Sequence, residues 1–250
     1  MEIDEHLARL RRDGELLATA IDAAGPDANV PTCPEWKVRD LVHHVGGIHR
    51  WATGYVAEPR AERVDAKLGD VVGTWPDDRD LVAWFRDGHA RLVQTLETAD
   101  PAVKCWSFLP APSPLAFWAR RQAHETAIHR VDAESALGNS TPFDAPFASD
   151  GIDELLFGFA ARPRRDIPTT SEQTMALRAS DAGSSWLVRI GPDRVESANG
   201  AGEADFDISA PASDLYTLLW NRRGVDGLAV TGDPKVLSLW QETIRIRWVE

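Results

Sequence analysis

Several things are scarce in this 250-residue chain, and each scarcity excludes something. Two cysteines, Cys33 and Cys105, are too few for a disulfide framework, which points to a reducing cytoplasm. No apolar run approaches the roughly 20 residues a membrane span needs. The opening M-E-I-D-E-H-L-A-R-L-R-R-D reads as a charged amphipathic helix and not as a signal peptide. Basic charge is short: 27 Lys and Arg face 39 Asp and Glu, for a net charge of −12, which argues against nucleic acid or anionic membrane as the main partner. Lysine is the rarer base, present only at 37, 67, 104 and 235. The remaining composition, 43% hydrophobic and 26% charged, is that of a folded protein large enough for one large domain or two modest ones. Tryptophan is abundant, with ten copies, several beside polar motifs.

The apolar spacing divides the chain. Ile3, Leu7, Leu10, Leu17 and Ile21 mark a first amphipathic helix that stops at Gly25-Pro26. After the proline-rich V-P-T-C-P-E-W a second helix is expected from Pro34 to Trp36 onward, with Val38, Leu41, Val45 and Ile48 on its buried face and His44 inside that stripe. Gly46-Gly47 in its middle costs roughly 1 kcal/mol per glycine against alanine. Close approach of another helix or a ligand would justify the pair, as would a local kink. A polar stretch over 58–75 precedes a third helix over 77–99. Four prolines over 100–114 make a long connection, and a fourth helix runs over 115–137 toward Gly138-Asn139. Four long helices with one long connection predict a four-helix bundle over residues 1–142. Beyond a linker, T-P-F-D-A-P-F, and a short helix over 152–160, the pattern turns to alternation. T-M-A-L-R-A, S-W-L-V-R-I, R-V-E-S-A and F-D-I-S-A are expected to form meander strands joined by turns, the last of them G-A-G-E. With a helix over 212–222, a strand L-A-V-T-G and a terminal helix, residues 150–250 are expected to form a separate α+β domain with an antiparallel sheet.

The fourth helix, W-A-R-R-Q-A-H-E-T-A-I-H-R-V-D-A-E, carries the chemistry. Glu125 and His129 are four residues apart, about 40° around the axis, so both can reach one point. If the second and fourth helices are neighbours, His44 completes a set of two imidazoles and one carboxylate, which suits zinc and also iron, nickel or manganese and leaves coordination positions open. The bland alternatives are a surface ion pair for Glu125 and His129 and a hydrogen-bonded core residue for His44. An inward polar stripe of Trp118, Gln122, Glu125, His129 and Asp132 favours the metal, because buried polar groups must be satisfied. His124 is not a co-ligand: five residues from His129, it lies about 140° round the helix. Asp132 is either a support for a ligand imidazole or a salt-bridge partner of Arg121 or Arg130. Cys33, just before a helix, is a nucleophile or a half-buried structural thiol. Arg222-Arg223 either stabilises a helix C-terminus or clamps an anionic substrate.

The segments P-T-C-P-E-W-K-V-R-D-L-V-H-H-V-G-G-I-H-R-W, A-H-E-T-A-I-H-R-V-D-A-E, D-L-Y-T-L-L-W-N-R-R and V-T-G-D resemble the mycothiol-dependent maleylpyruvate isomerase family of actinobacteria. The resemblance covers nearly the whole chain in order. It implies a DinB-like metal-binding bundle followed by a sterol-carrier-like domain. It also implies a divalent metal, usually zinc, on His44, Glu125 and His129, and mycothiol as thiol cosubstrate bound through sulfur. A metal-bound thiol is ionised near neutral pH and needs no dedicated base. The L-L-W-N-R match puts the family's substrate-holding arginine at Arg222, and Asp132 or His49 is expected to support the ligands. Asn221 stands where the family usually has glycine. No motif singles out the substrate. The resulting expectation is a thiol-using isomerase or S-transferase acting on a small electrophile as a monomer or homodimer. The alternatives are a metal hydrolase and a small-molecule or lipid-binding protein with a structural metal.

Overall fold

The computed structural model describes residues 1–65, 67–163, 167–200 and 202–245. Ala201 of the expected G-A-G-E turn and the last five residues of the expected second domain lie outside the described residues. The chain divides into two compact units, the first Met1–Thr141 and the second beginning at Pro142.

The first unit is helical: α1 (Ile3–Ala24), α2 (Val38–Ala57), a short α3 (Leu68–Val72), α4 (Leu81–Thr98) and α5 (Pro114–Ser135). The four long helices form the expected bundle. Helix α1 packs on α5 and α4, and α2 packs on the same two, so α1 and α2 face each other across a diagonal. This makes α2 and α5 neighbours, the condition for bringing His44 to Glu125 and His129. Leu17, Ile21, Val38, Leu41, Val42, Val45, Leu81 and Phe85 form a buried core between them. The proline-rich lead-in extends further than expected, so α2 begins at Val38. Helix α3 falls within the stretch read as merely polar, and α4 is preceded by a 3-10 turn over Asp78–Asp80.

Helix α5 starts on Ser113, whose hydroxyl accepts from the Ala116 N–H, with Pro114 in the first turn where its missing N–H costs nothing. From Arg121 through Glu134 every residue is buried, including five that are charged in water. Buried charges survive only when paired. Arg130 meets Asp13 of α1 at 2.9 Å and Glu134 at 2.7 Å, and Arg121 meets Glu125 at 3.2 Å. Gly46 is explained by close approach, since a methyl there would sit 2.7 Å from Cη2 of Trp84 on α4 and closer still to Cζ3, whereas one at Gly47 would come no nearer than 3.3 Å, to Leu68.

In the second unit α6 (Ala145–Asp153) starts inside the segment read as a linker, capped by Asp144, and continues as a π-helical stretch over Glu154–Ala160. The five expected strands all form: β1 (Gln173–Ala179), β2 (Ser185–Ile190), β3 (Val195–Asn199), β4 (Phe206–Ala210) and β5 (Ala229–Gly232). Their order is β3-β2-β1-β4-β5. The pairs are antiparallel except β1–β4, so β1 to β3 form a meander while β4 returns beside β1 in parallel. Alternation accounts for the burial of Trp186, Val188 and Ile190 on β2. Helices α7 (Ala212–Leu219) and α8 (Lys235–Thr243) pack on β1. Helix α7 ends ahead of Asn221, which has φ 61°. Asparagine tolerates the left-handed region better than other residues with a Cβ, which explains how it can stand at this turn.

Candidate metal centre

His44 from the second turn of α2 and Glu125 and His129 from successive turns of α5 converge in the first unit. One donor atom from each lies within 4.8 Å of the other two, and all three residues are buried. Glu125 Oε1 is 3.5 Å from His44 Nε2 and 3.3 Å from His129 Nε2. Among the described residues neither His44 Nε2 nor Glu125 Oε1 has a hydrogen-bond partner. Three inward-facing donors, two of them buried and unsatisfied, are what a cation with oxygen and nitrogen ligands requires.

The other edges of the set are held. His129 Nδ1 lies 2.8 Å from Asp132 Oδ2, and Arg121 donates to Glu125 Oε2 at 3.2 Å. The half-buried Trp36, in the loop before α2, packs against both imidazoles, with ring centroids 5.0 Å from His44 and 6.2 Å from His129. The electrostatics favour positive charge here. Burial alone would lower the His129 imidazole, yet Asp132 and Glu125 together push it up to about 9. Burial would raise the Glu125 carboxyl, but the two imidazoles and Arg121 hold it well below the usual carboxylate range. At His44 burial, aided by the neighbouring His129, prevails over the pull of Glu125 and Asp132, and the imidazole is lowered.

His124 is fully buried and stands apart from the cation set, with its ring edge-on to His6. Asp132 meets the Nδ1 atom of His129, while Arg121 and Arg130 have carboxylate partners in Glu125 and in Asp13 and Glu134. His49 supports α5 rather than a ligand: its Nε2 lies 2.9 Å from Thr126 Oγ1. Cys33 is half-buried against the bundle core, and Cys105 is buried. Arg222 lies in the second unit, on the turn after α7, with Nη1 donating to the Trp220 carbonyl at 2.8 Å. Arg223, beyond the end of α7, pairs with Asp214 in the first turn of that helix. The sequence did not reveal Trp36 or Arg121 as neighbours of the candidate ligands. Arg121 had a signal available, since it precedes Glu125 by one helical turn.

Family models now bear on this geometry. The model of the mycothiol maleylpyruvate isomerase N-terminal domain matches residues 7–134, and that of the corresponding C-terminal domain matches residues 146–239. The chain belongs to the mycothiol maleylpyruvate isomerase family. A crystal structure of the mycothiol-dependent maleylpyruvate isomerase has the same fold at 13% identity, with a TM-score of 0.62 over 92% of this chain and 93% of that one. A histidine-to-alanine mutant of the isomerase superposes with a TM-score of 0.61 at the same identity and coverage. No curated protein sequence matches the chain. Among the described residues no helix is long and apolar enough to cross a membrane.

Proposed function

We propose that this chain is a metal-dependent enzyme that uses mycothiol against a small electrophilic substrate, by S-transfer or by addition and elimination ending in cis–trans isomerisation. The observation that carries it is the buried convergence of His44, Glu125 and His129 in a member of this family. Those three side chains would hold a divalent cation, and two imidazoles with one carboxylate suit zinc and leave room for another ligand. Such a cation, when bound, keeps a thiol ionised near neutral pH.

The remaining work falls to the chain's own side chains. Asp132 accepts the Nδ1 proton of His129, which directs Nε2 toward the other two donors. Arg121 engages one oxygen of Glu125 and leaves Oε1 facing the histidines. Trp36 covers the two rings and limits water around them. Arg222 is the residue we choose to orient an anionic substrate, because a guanidinium matches a carboxylate with two parallel hydrogen bonds. The same proposal treats 1–142 as the metal-binding domain and 150–250 as the second domain, working in a reducing cytoplasm.

Metal analysis of purified protein tests the centre. Wild type is expected to carry stoichiometric metal, and His44→Ala and Glu125→Ala to lose it; metal content unchanged by either substitution refutes the ligand set. Metal-loaded protein with mycothiol and chloro-dinitrobenzene is expected to form conjugate above the uncatalysed rate. Thiol-independent turnover of an ester or amide would instead indicate a hydrolase. Co-purified lipid without turnover would indicate a binding protein.

A further inference from the structure

The loop between α1 and α2 carries T-C-P-E-W, a motif to which the proposed chemistry gives no role beyond Trp36. Its shape is fixed by its own backbone: Val30 N–H donates to the Trp36 carbonyl at 3.1 Å, Cys33 N–H to Val30 at 2.9 Å and Trp36 N–H to Cys33 at 2.8 Å. Val30, fully buried in the bundle core, anchors it. From this loop the Thr32 hydroxyl donates to Asp132 Oδ1 at 2.6 Å. The other oxygen of the same carboxylate lies 2.8 Å from His129 Nδ1. Asp132 is fully buried, so an oxygen left without a partner has no water to turn to. Ser135 completes the arrangement: its hydroxyl lies 3.2 Å from that of Thr32 and donates to the Asp132 carbonyl at 2.7 Å.

We infer that Thr32 is a positioning residue for the candidate metal centre, acting through Asp132 on the orientation of the His129 imidazole. This rests on the proposal that His44, Glu125 and His129 bind a cation. A carboxylate can turn about its terminal bond, and as it turns its hydrogen bond swings the imidazole with it. The Thr32 hydroxyl pins Oδ1 and thereby the plane of the carboxylate. Oδ2 then holds Nδ1, and Nε2 stays aimed at Glu125 and His44. The same loop lays Trp36 on both histidine rings, so one preformed segment constrains the ligand set from two directions. Partners of this kind usually change metal affinity by 10- to 100-fold.

The rival explanation is that Thr32 merely staples the loop to α5. The two are separated by Co2+ affinity, measured by chelator competition, alongside the visible spectrum of the cobalt form and the melting temperature of the metal-free protein. Thr32→Val keeps the shape and removes the donor, and is expected to bind Co2+ about tenfold more weakly with an altered spectrum. Thr32→Ser restores the hydroxyl and should stay within about twofold of wild type. If Thr32 acts through Asp132, Thr32→Val added to Asp132→Asn weakens binding no further than Asp132→Asn alone. Should Thr32→Val fail to fold, Thr32→Ser against Thr32→Ala makes the same comparison. Unchanged Co2+ affinity with a lower melting temperature reduces Thr32 to a staple, and losses that multiply in the double variant equally overturn the inference. A wild type that binds no Co2+ overturns the underlying metal proposal itself, a distinct result from wild-type binding with an indifferent Thr32.

Discussion

Gly46 and Gly54 lie on the same helix and should respond oppositely to the same substitution. Helix propensity alone favours alanine at both, by about 0.5–1 kcal/mol. At Gly54 nothing lies within 4 Å of an added methyl, so Gly54→Ala should stabilise by about 0.5 kcal/mol, the lower figure because the residue is in the last turn. At Gly46 the methyl would land 2.7 Å from Cη2 of Trp84 and closer to Cζ3, well inside contact distance. The indole has little freedom to retreat. Arg50 stacks on it at 3.7 Å and donates to the Trp84 carbonyl at 2.8 Å, and the Trp75 ring lies 6.0 Å away. Overpacking of this kind costs about 1–3 kcal/mol, which outweighs the propensity gain, so Gly46→Ala should destabilise by about 1–2 kcal/mol. Equilibrium urea unfolding followed by tryptophan fluorescence measures both changes. If Gly46→Ala matched wild type or exceeded it, Trp84 would have to yield freely, and close packing could not be the reason for glycine at position 46.

Other expectations follow from buried charge and backbone. Burial pushes His89 down to about 4, against about 6.5 in an unfolded chain, so between those values the unfolded state binds more protons and stability falls as pH falls. The loss should total about 3 kcal/mol and be complete below pH 4; His89→Gln should flatten the acid limb in urea titrations at pH 4 to 7, and an unaltered limb would refute the assignment. Arg130→Leu leaves Asp13 and Glu134 buried without their cation and should cost about 3–5 kcal/mol, whereas a loss below 1 kcal/mol would show that the pairing is dispensable. Asn221→Ala should destabilise by about 1–2 kcal/mol because of its positive φ, with Asn221→Gly close to neutral in the same assay. An equal loss in both variants would mean that the Asn221 side-chain bond to the Ile244 carbonyl, which both remove, outweighs the backbone strain.

Much of this was legible in residue spacing. The bundle followed from apolar periodicity, the five strands from alternation, and the geometry that brings Glu125 and His129 together from one helical turn. His44 was found because an imidazole inside an apolar stripe must face the interior. What stayed hidden depends on contacts with no local period. Thr32 and Asp132 are 100 residues apart, and only the fold of the loop onto α5 joins them. The parallel β1–β4 pair was missed because alternation fixes which face a side chain takes but says nothing of strand direction. The start of α6 was mistaken for a linker because a proline in the first turn of a helix and a proline in a loop look alike until the Asp144 cap is seen. Helix α3 is too short for periodicity to register at all.

The unbroken burial of α5 from Arg121 through Glu134 bears on how such a protein can diversify. A surface helix offers positions where a change is nearly neutral, and variation accumulates there first. This segment offers none: each side chain packs in the core, balances a charge or belongs to the candidate metal centre. New substrate preference in this chain therefore has to be built from other segments, around a helix that must stay as it is.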